Sequence, residues 1–181
     1  MNFYLDTEFM ADANACSVKP LSIALVAETG ESLYLVISDA PREEGNEFVQ
    51  EFVVPFLDIS PTGERLTDQV ITDGIYTFGS VLRKDAADVI KWWVTALSAQ
   101  PQFWAWYASY DWVCFCDLLG GFLNVPVNWP QYIHDLRLFS TRMLEYKGDL
   151  TVPEHHCLRD AYQLQQTALY IKIKRKNERY V

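Results

Sequence analysis

The chain has 181 residues, half of them hydrophobic and 14% aromatic, which allows one substantial core and excludes a disordered segment. A formal net charge of −9 excludes a protein that coats nucleic acid by electrostatics alone, but not one that meets a strand through bound cations, which invert the local sign. No apolar run approaches the roughly 20 residues of a membrane span, and the opening MNFYLDTEF lacks the features of a secretory leader.

Cys16, Cys114, Cys116 and Cys157 have neither zinc spacing nor the context of a disulfide framework. The expectation is a soluble cytoplasmic protein with reduced, mostly buried cysteines. It folds as one domain over 1–181, with a basic tail at 172–181 that reads either as a solvated helix end or as a contact to phosphates.

Residues 2–9 alternate, with Phe3, Leu5 and Phe9 on one face and Tyr4, Asp6 and Glu8 on the other, and predict a strand. Residues 20–27 and 33–37 are further apolar strands, and Thr29-Gly30-Glu31 joins them in an antiparallel meander. Residues 42–57 predict an amphipathic helix ending near Pro55, and 58–80, with Pro61, Gly63, Gly74 and Gly79, an extended loop. Ala86, Val89, Ile90, Trp93, Val94 and Leu97 recur at the helical period over 83–98. A fourth strand follows at 103–107, then a helix at 111–121 stopped by Gly120 and Gly121. Residues 131–134 predict a short fifth strand and 136–146 a helix. Pro153 and Glu154 open a last helix running to about 173. Strands first, then strands alternating with helices, give an α/β fold with a mixed five-stranded sheet flanked by helices.

Three elements carry chemistry. Asp6 and Glu8, two apart on a strand, project from one face. In an apolar segment two ionised carboxylates are costly unless a cation joins them. Asp111 follows an apolar strand and a short turn, where it reads either as a helix cap or as a further metal ligand at the strand's carboxyl end. Asp160 shares a helix face with Leu164 and Ala168 and so points inward, where a carboxylate needs a partner. His155 sits just ahead of that helix, where a histidine can take a proton from a metal-bound water. Asp135 reads as a cap for the following helix, and His156 as structural or exposed.

Taken in order, Asp-x-Glu on the first strand, Asp111 after the fourth and His-x4-Asp opening the last helix resemble the DEDDh family of 3′-5′ exonucleases. The similarity is closest to its bacterial and phage branch near ribonuclease AS and ribonuclease T. It spans Asp6 to Asp160, through Asp6-Thr-Glu-Phe9, Leu21-Ser-Ile-Ala-Leu-Val-Ala, Trp104-Ala-Trp, Tyr110-Asp111 and Leu158-Arg-Asp160-Ala161. The resemblance implies a ribonuclease H-like fold, with Asp6, Glu8, Asp111 and Asp160 holding two Mg²⁺ or Mn²⁺ ions and His155 as general base. It further implies that Thr7 and Phe9 line the pocket for the terminal nucleotide, that the partner is the 3′ end of a single strand, and that the chain pairs as a homodimer. RNA, adenylate-rich in this branch, is favoured over single-stranded DNA. A non-catalytic binding protein of the same fold is the remaining reading, and it predicts the loss of one or more ligands. One departure stands out: many DEDDh enzymes carry His-Asn shortly before the middle aspartate, where this chain has Trp106-Tyr107.

Overall fold

The computed structural model describes residues 1–12, 17–146, 148, 150–153 and 155–178, of which 12, 17 and 174–178 are described by backbone alone. Seven strands form one mixed sheet: β1 (Asn2–Asp12), β2 (Ser17–Ala27), β3 (Ser32–Ile37), β4 (Ile71–Asp73), β5 (Tyr76–Val81), β6 (Gln102–Ala105) and β7 (His134–Asp135). Their spatial order is β4-β5-β3-β2-β1-β6-β7. The expected meander is present, β1 and β3 each running antiparallel to β2. Gly30, at φ +112°, turns the chain between β2 and β3 where most side chains are disfavoured.

Helices cover both faces. On one, α2 (Arg83–Leu97) and α3 (Ser109–Leu118) pack Ile90, Trp93, Val94 and Phe115 against Phe3, Leu5, Ile23 and Leu25. On the other, α1 (Glu47–Phe52) and α4 (Cys157–Glu178) pack Val49, Leu158, Ala161 and Leu164 against Tyr4, Ala24, Val26 and Tyr34. The result is an α/β protein compatible with a ribonuclease H-like fold. Among the described residues no helix is long and apolar enough to cross a membrane, and Cys114, Cys116 and Cys157 are buried and free. Cys16 lies outside the described residues.

Four expectations are corrected. The sheet has seven strands, because 58–80 is not loop throughout but contains β4 and β5. Gly79 explains the disguise. A Cβ there would lie 2.6 Å from the carbonyl oxygen of Gln69, so the residue that breaks the strand pattern is the one that lets the preceding chain cross it. The expected helix at 42–57 is interrupted at Gly45 and Asn46; Asn46 caps α1 by accepting the Val49 N–H at 3.0 Å. The expected helix at 136–146 is only a 3₁₀ turn, Leu136–Leu138. Its continuation is pre-empted because Leu144 N–H donates to Thr167 Oγ1 at 2.9 Å while the Ser140 carbonyl accepts from Arg137 Nη1 at 3.4 Å. The helix expected at 111–121 begins at Ser109 and ends at Leu118. Gly120 and Gly121, both at positive φ, return their N–H groups to Asp117 and Cys116, a double bond pattern that closes a helix end.

Candidate active site

β1 is long and β6 short. Parallel pairing between them covers only Asn2 to Tyr4, so beyond Leu5 the β6 side of β1 is open, and the predicted site residues occupy that stretch. Asp6 lies opposite Ala24 and Glu8 opposite Ser22 on β2. These small neighbours let α4 approach closely: Ala161 is fully buried, and Cys157 Sγ sits 3.3 Å from Ser22 Oγ. Docked this way, the first turn of α4 brings Asp160 to β1. Asp6, Glu8 and Asp160, all half-buried, each offer a ligand atom within 4.8 Å of the others.

Asp111 arrives from the opposite face. It is the third residue of α3, whose N-cap is Ala108, so it is not the N-cap itself, though its carboxylate also receives its own backbone N–H in the first turn. Its Oδ1 accepts two hydrogen bonds from Thr7, from the backbone N–H at 3.0 Å and from Oγ1 at 2.7 Å. A backbone donor of β1 on the side that β6 leaves open is satisfied by a side chain from α3. Thr7 is buried and spends its hydroxyl on this carboxylate. Phe9, also expected in the pocket, is half-buried and stacks on the exposed ring of Tyr110 with centroids 5.7 Å apart.

His155 is exposed, ahead of α4, with its backbone at φ +57°. Its ring lies edge-on to Phe48 and Phe52 of α1, at 5.4 and 6.3 Å. His156 is buried beside Tyr34, its Nδ1 accepting the Leu158 N–H at 3.3 Å, as a structural histidine would. Asp135 caps the 3₁₀ turn after β7 through the Arg137 N–H, as expected. Three features escaped sequence reasoning: the Phe9–Tyr110 stack, the aromatic rest under His155, and the Arg137 side chain lying over Trp106 and Tyr107. Each joins segments far apart in the chain, and none has a periodic signature.

The cluster is strained by its own charge. Burial raises Asp6 well above the ordinary carboxylate range, and the charges of Asp111, Asp160 and Glu8 raise it further. Glu8 is raised in the same way, by burial first and then by Asp160 and Asp111. Asp111 is pushed up to about 7, burial outweighing the Thr7 hydrogen bonds that pull it down, with Asp135 adding its charge. Carboxylates shifted together in this way mark functional sites more often than structural ones.

Fold and site define a class: an α/β protein with a mixed, helix-flanked sheet whose central strand carries converging carboxylates. No protein-family model matches the chain. Over 139 residues, however, it is 30% identical to 3′-5′ exoribonucleases from two strains of Mycobacterium tuberculosis, a match covering 76% of this chain and 72% of each relative. The chain belongs to the family of these 3′-5′ exonucleases.

Proposed function

We propose that the chain is a metal-dependent 3′-5′ exoribonuclease of the DEDDh type, in the branch near ribonuclease AS and ribonuclease T. It would remove 5′-mononucleotides from single-stranded RNA, adenylate-rich strands included. The observation that carries this reading is the convergence of Asp6, Glu8 and Asp160 within 4.8 Å, with Asp111 tethered beside them through Thr7. The two relatives, named as exoribonucleases, favour RNA over DNA.

The donor set fits hard divalent cations. Every candidate ligand is a carboxylate oxygen, which suits Mg²⁺ or Mn²⁺, and the described cluster has none of the Cys or His ligands that zinc favours. The charges acting on Asp6 and Glu8 are negative, so bound cations would relieve a repulsion that the fold itself creates. Asp6, Glu8, Asp111 and Asp160 would hold two such ions. When bound they would supply the positive charge that in-line phosphoryl displacement needs on its attacking and leaving oxygens.

The chain's own residues do the rest. Thr7 fixes the orientation of Asp111 by two donors. His155, on exposed backbone beside the first turn of α4, takes the proton of the attacking water. Phe9 and Tyr110 present a stacked aromatic surface next to the carboxylates, on which a terminal base can rest with little sequence preference. A homodimer belongs to the same reading; Trp92, 58% exposed on α2, is the apolar side chain such an interface would cover.

Digestion of end-labelled oligoadenylate, mixed-sequence RNA and single-stranded DNA, with Mg²⁺ and with EDTA, tests the reading. Stepwise shortening of RNA from the 3′ end, abolished by EDTA, is expected. Preference for DNA would transfer the chemistry to the other substrate, and activity indifferent to EDTA would remove the metal mechanism.

A further inference from the structure

Trp106 and Tyr107, where this chain departs from the wider family pattern, hold a cation. Arg137 follows β7 in the 3₁₀ turn whose backbone is fixed by Asp135 and whose Leu136 is buried. Its guanidinium carbon lies 5.5 Å from the ring centroid of Trp106 and 5.5 Å from that of Tyr107. Nε donates to the Tyr107 hydroxyl at 3.2 Å and Nη1 to the Ser140 carbonyl at 3.4 Å. Both uncharged contacts leave the charge unneutralised. Arg42 pairs with Asp58 and Arg83 with Asp117; Arg137 forms no such ion pair among the described residues.

Two further observations place and explain this group. Tyr107 lies four residues before Asp111 in the β6–α3 connection, and Asp135, two residues before Arg137, pairs with Ala105 at the end of β6. The guanidinium therefore stands at the carboxyl end of β6, the end from which the chain runs on to Asp111. Tyr107 also holds φ +56°, a left-handed backbone that is strained for a bulky residue. With its ring 57% exposed, core burial does not offset that strain. What the conformation does achieve is to bring the phenol to Nε of Arg137.

We infer that Arg137, clamped by Trp106, Tyr107 and Ser140, binds a backbone phosphate of the single strand whose end enters the carboxylate site. Nη2 and the second hydrogen of Nη1 remain to donate, and this planar edge matches two phosphate oxygens. In an acidic protein, one oriented cation at this end of the sheet gives a polyanion a point of attachment without neutralising the carboxylates. The inference rests on the proposed nuclease reading.

The test uses Arg137→Met and Arg137→Lys in the full chain, with oligoadenylate as the probe. Arg137→Met should raise KM about 10-fold or more, the worth of a charge-assisted hydrogen bond, while kcat falls less. Arg137→Lys should recover only part of the loss, since it keeps the charge but not the fork. In an Asp160→Asn background, which consumes no strand, anisotropy of a fluorescent oligoadenylate should show the log–log salt slope of binding reduced by about 0.7 in Arg137→Met, one phosphate contact on a single strand. Unchanged KM and salt slope in Arg137→Met would overturn the inference. So would equal losses in kcat and KM for both variants, which a merely structural role predicts. A wild-type protein inactive on every strand would instead defeat the nuclease reading itself.

Discussion

Thr7 and Asp111 are joined by two hydrogen bonds to a single carboxylate oxygen, one from the backbone and one from the hydroxyl. The pair ties β1 to α3 across a part of the sheet where no strand does so. Thr7→Val keeps the shape and the N–H but removes the hydroxyl. A buried carboxylate then loses a charge-assisted donor worth about 1.5–3 kcal/mol, and Asp111, already pushed up to about 7, rises further. We expect Mg²⁺ affinity to drop about 10-fold or more, as for other residues that orient a metal ligand, with the fold intact by circular dichroism. Titration calorimetry giving wild-type affinity would show that Asp111 is oriented without Thr7.

How much of this was legible depends on the distance over which each relationship acts. The Asp6–Glu8 pair follows from the two-residue repeat of a strand, and the inward aspect of Asp160 from the turn of a helix, so both could be read locally. That Asp111 would bind Thr7 could not. It requires knowing that β6 pairs with β1 only as far as Tyr4, which leaves a donor for a side chain 104 residues away. β4 and β5 were hidden because exposed residues and Gly79 obscure their alternation, and the aromatic seat of Arg137 spans 30 residues.

Neutralising one carboxylate should separate function from stability. Asp6→Asn removes a candidate ligand and should abolish Mg²⁺-dependent hydrolysis. It also removes one of several mutually repelling charges, so the metal-free variant should melt higher than the metal-free wild type. At a few ångströms' separation this relief runs from about 1 kcal/mol at the dielectric of water to about 4 kcal/mol at an effective dielectric of about 20, and each kcal/mol corresponds to roughly 2–4 °C in a chain of this size. Scanning calorimetry in EDTA reads it directly, and a variant melting below wild type would mean that Asp6 is held by favourable contacts instead.

Burial, with the mutual repulsion of the carboxylates, fixes the sign of a pH effect. Asp6, Glu8 and Asp111 have folded pKa values above those of the unfolded chain. The native state therefore binds more protons from about pH 4 upward. Their contribution to the stability of the metal-free protein is present at low pH and is lost as pH rises through the folded values, near 7 for Asp111. Mg²⁺ competes with those protons, so its stabilising shift in Tm should grow between pH 5 and 8. A metal-induced shift that is flat across this window would contradict the linkage.

His156 acts in the opposite direction. Burial lowers it to about 4, so the folded protein holds it neutral, and protonation favours the unfolded chain. Its contribution is present above about pH 6.5 and is lost as pH falls towards 4, a span equivalent to about 3 kcal/mol. His156→Gln should be less stable than wild type at pH 7 yet lose less between pH 6.5 and 4. Urea titrations at a series of pH values measure both. Parallel acid slopes for the two proteins would acquit His156 as a source of acid lability.

His155 leans on α1, and that contact should matter to turnover. Its ring meets Phe48 and Phe52 edge-on while its backbone sits in the left-handed region, so the position of the imidazole depends on two exposed aromatic side chains. If His155 is the general base proposed above, its loss in His155→Ala should slow turnover roughly 10²–10⁴-fold with strand binding largely kept. Phe52→Ala leaves the imidazole in place but removes part of its support, and should slow turnover by about 10-fold, since small misplacements of a reacting group are costly. If Phe52 acts only through His155, the double variant Phe52→Ala/His155→Ala should be no slower than His155→Ala alone, because residues working as a unit are not additive. Single-turnover assays on oligoadenylate distinguish this from independent, multiplying losses, which would instead assign Phe52 its own contact with the strand.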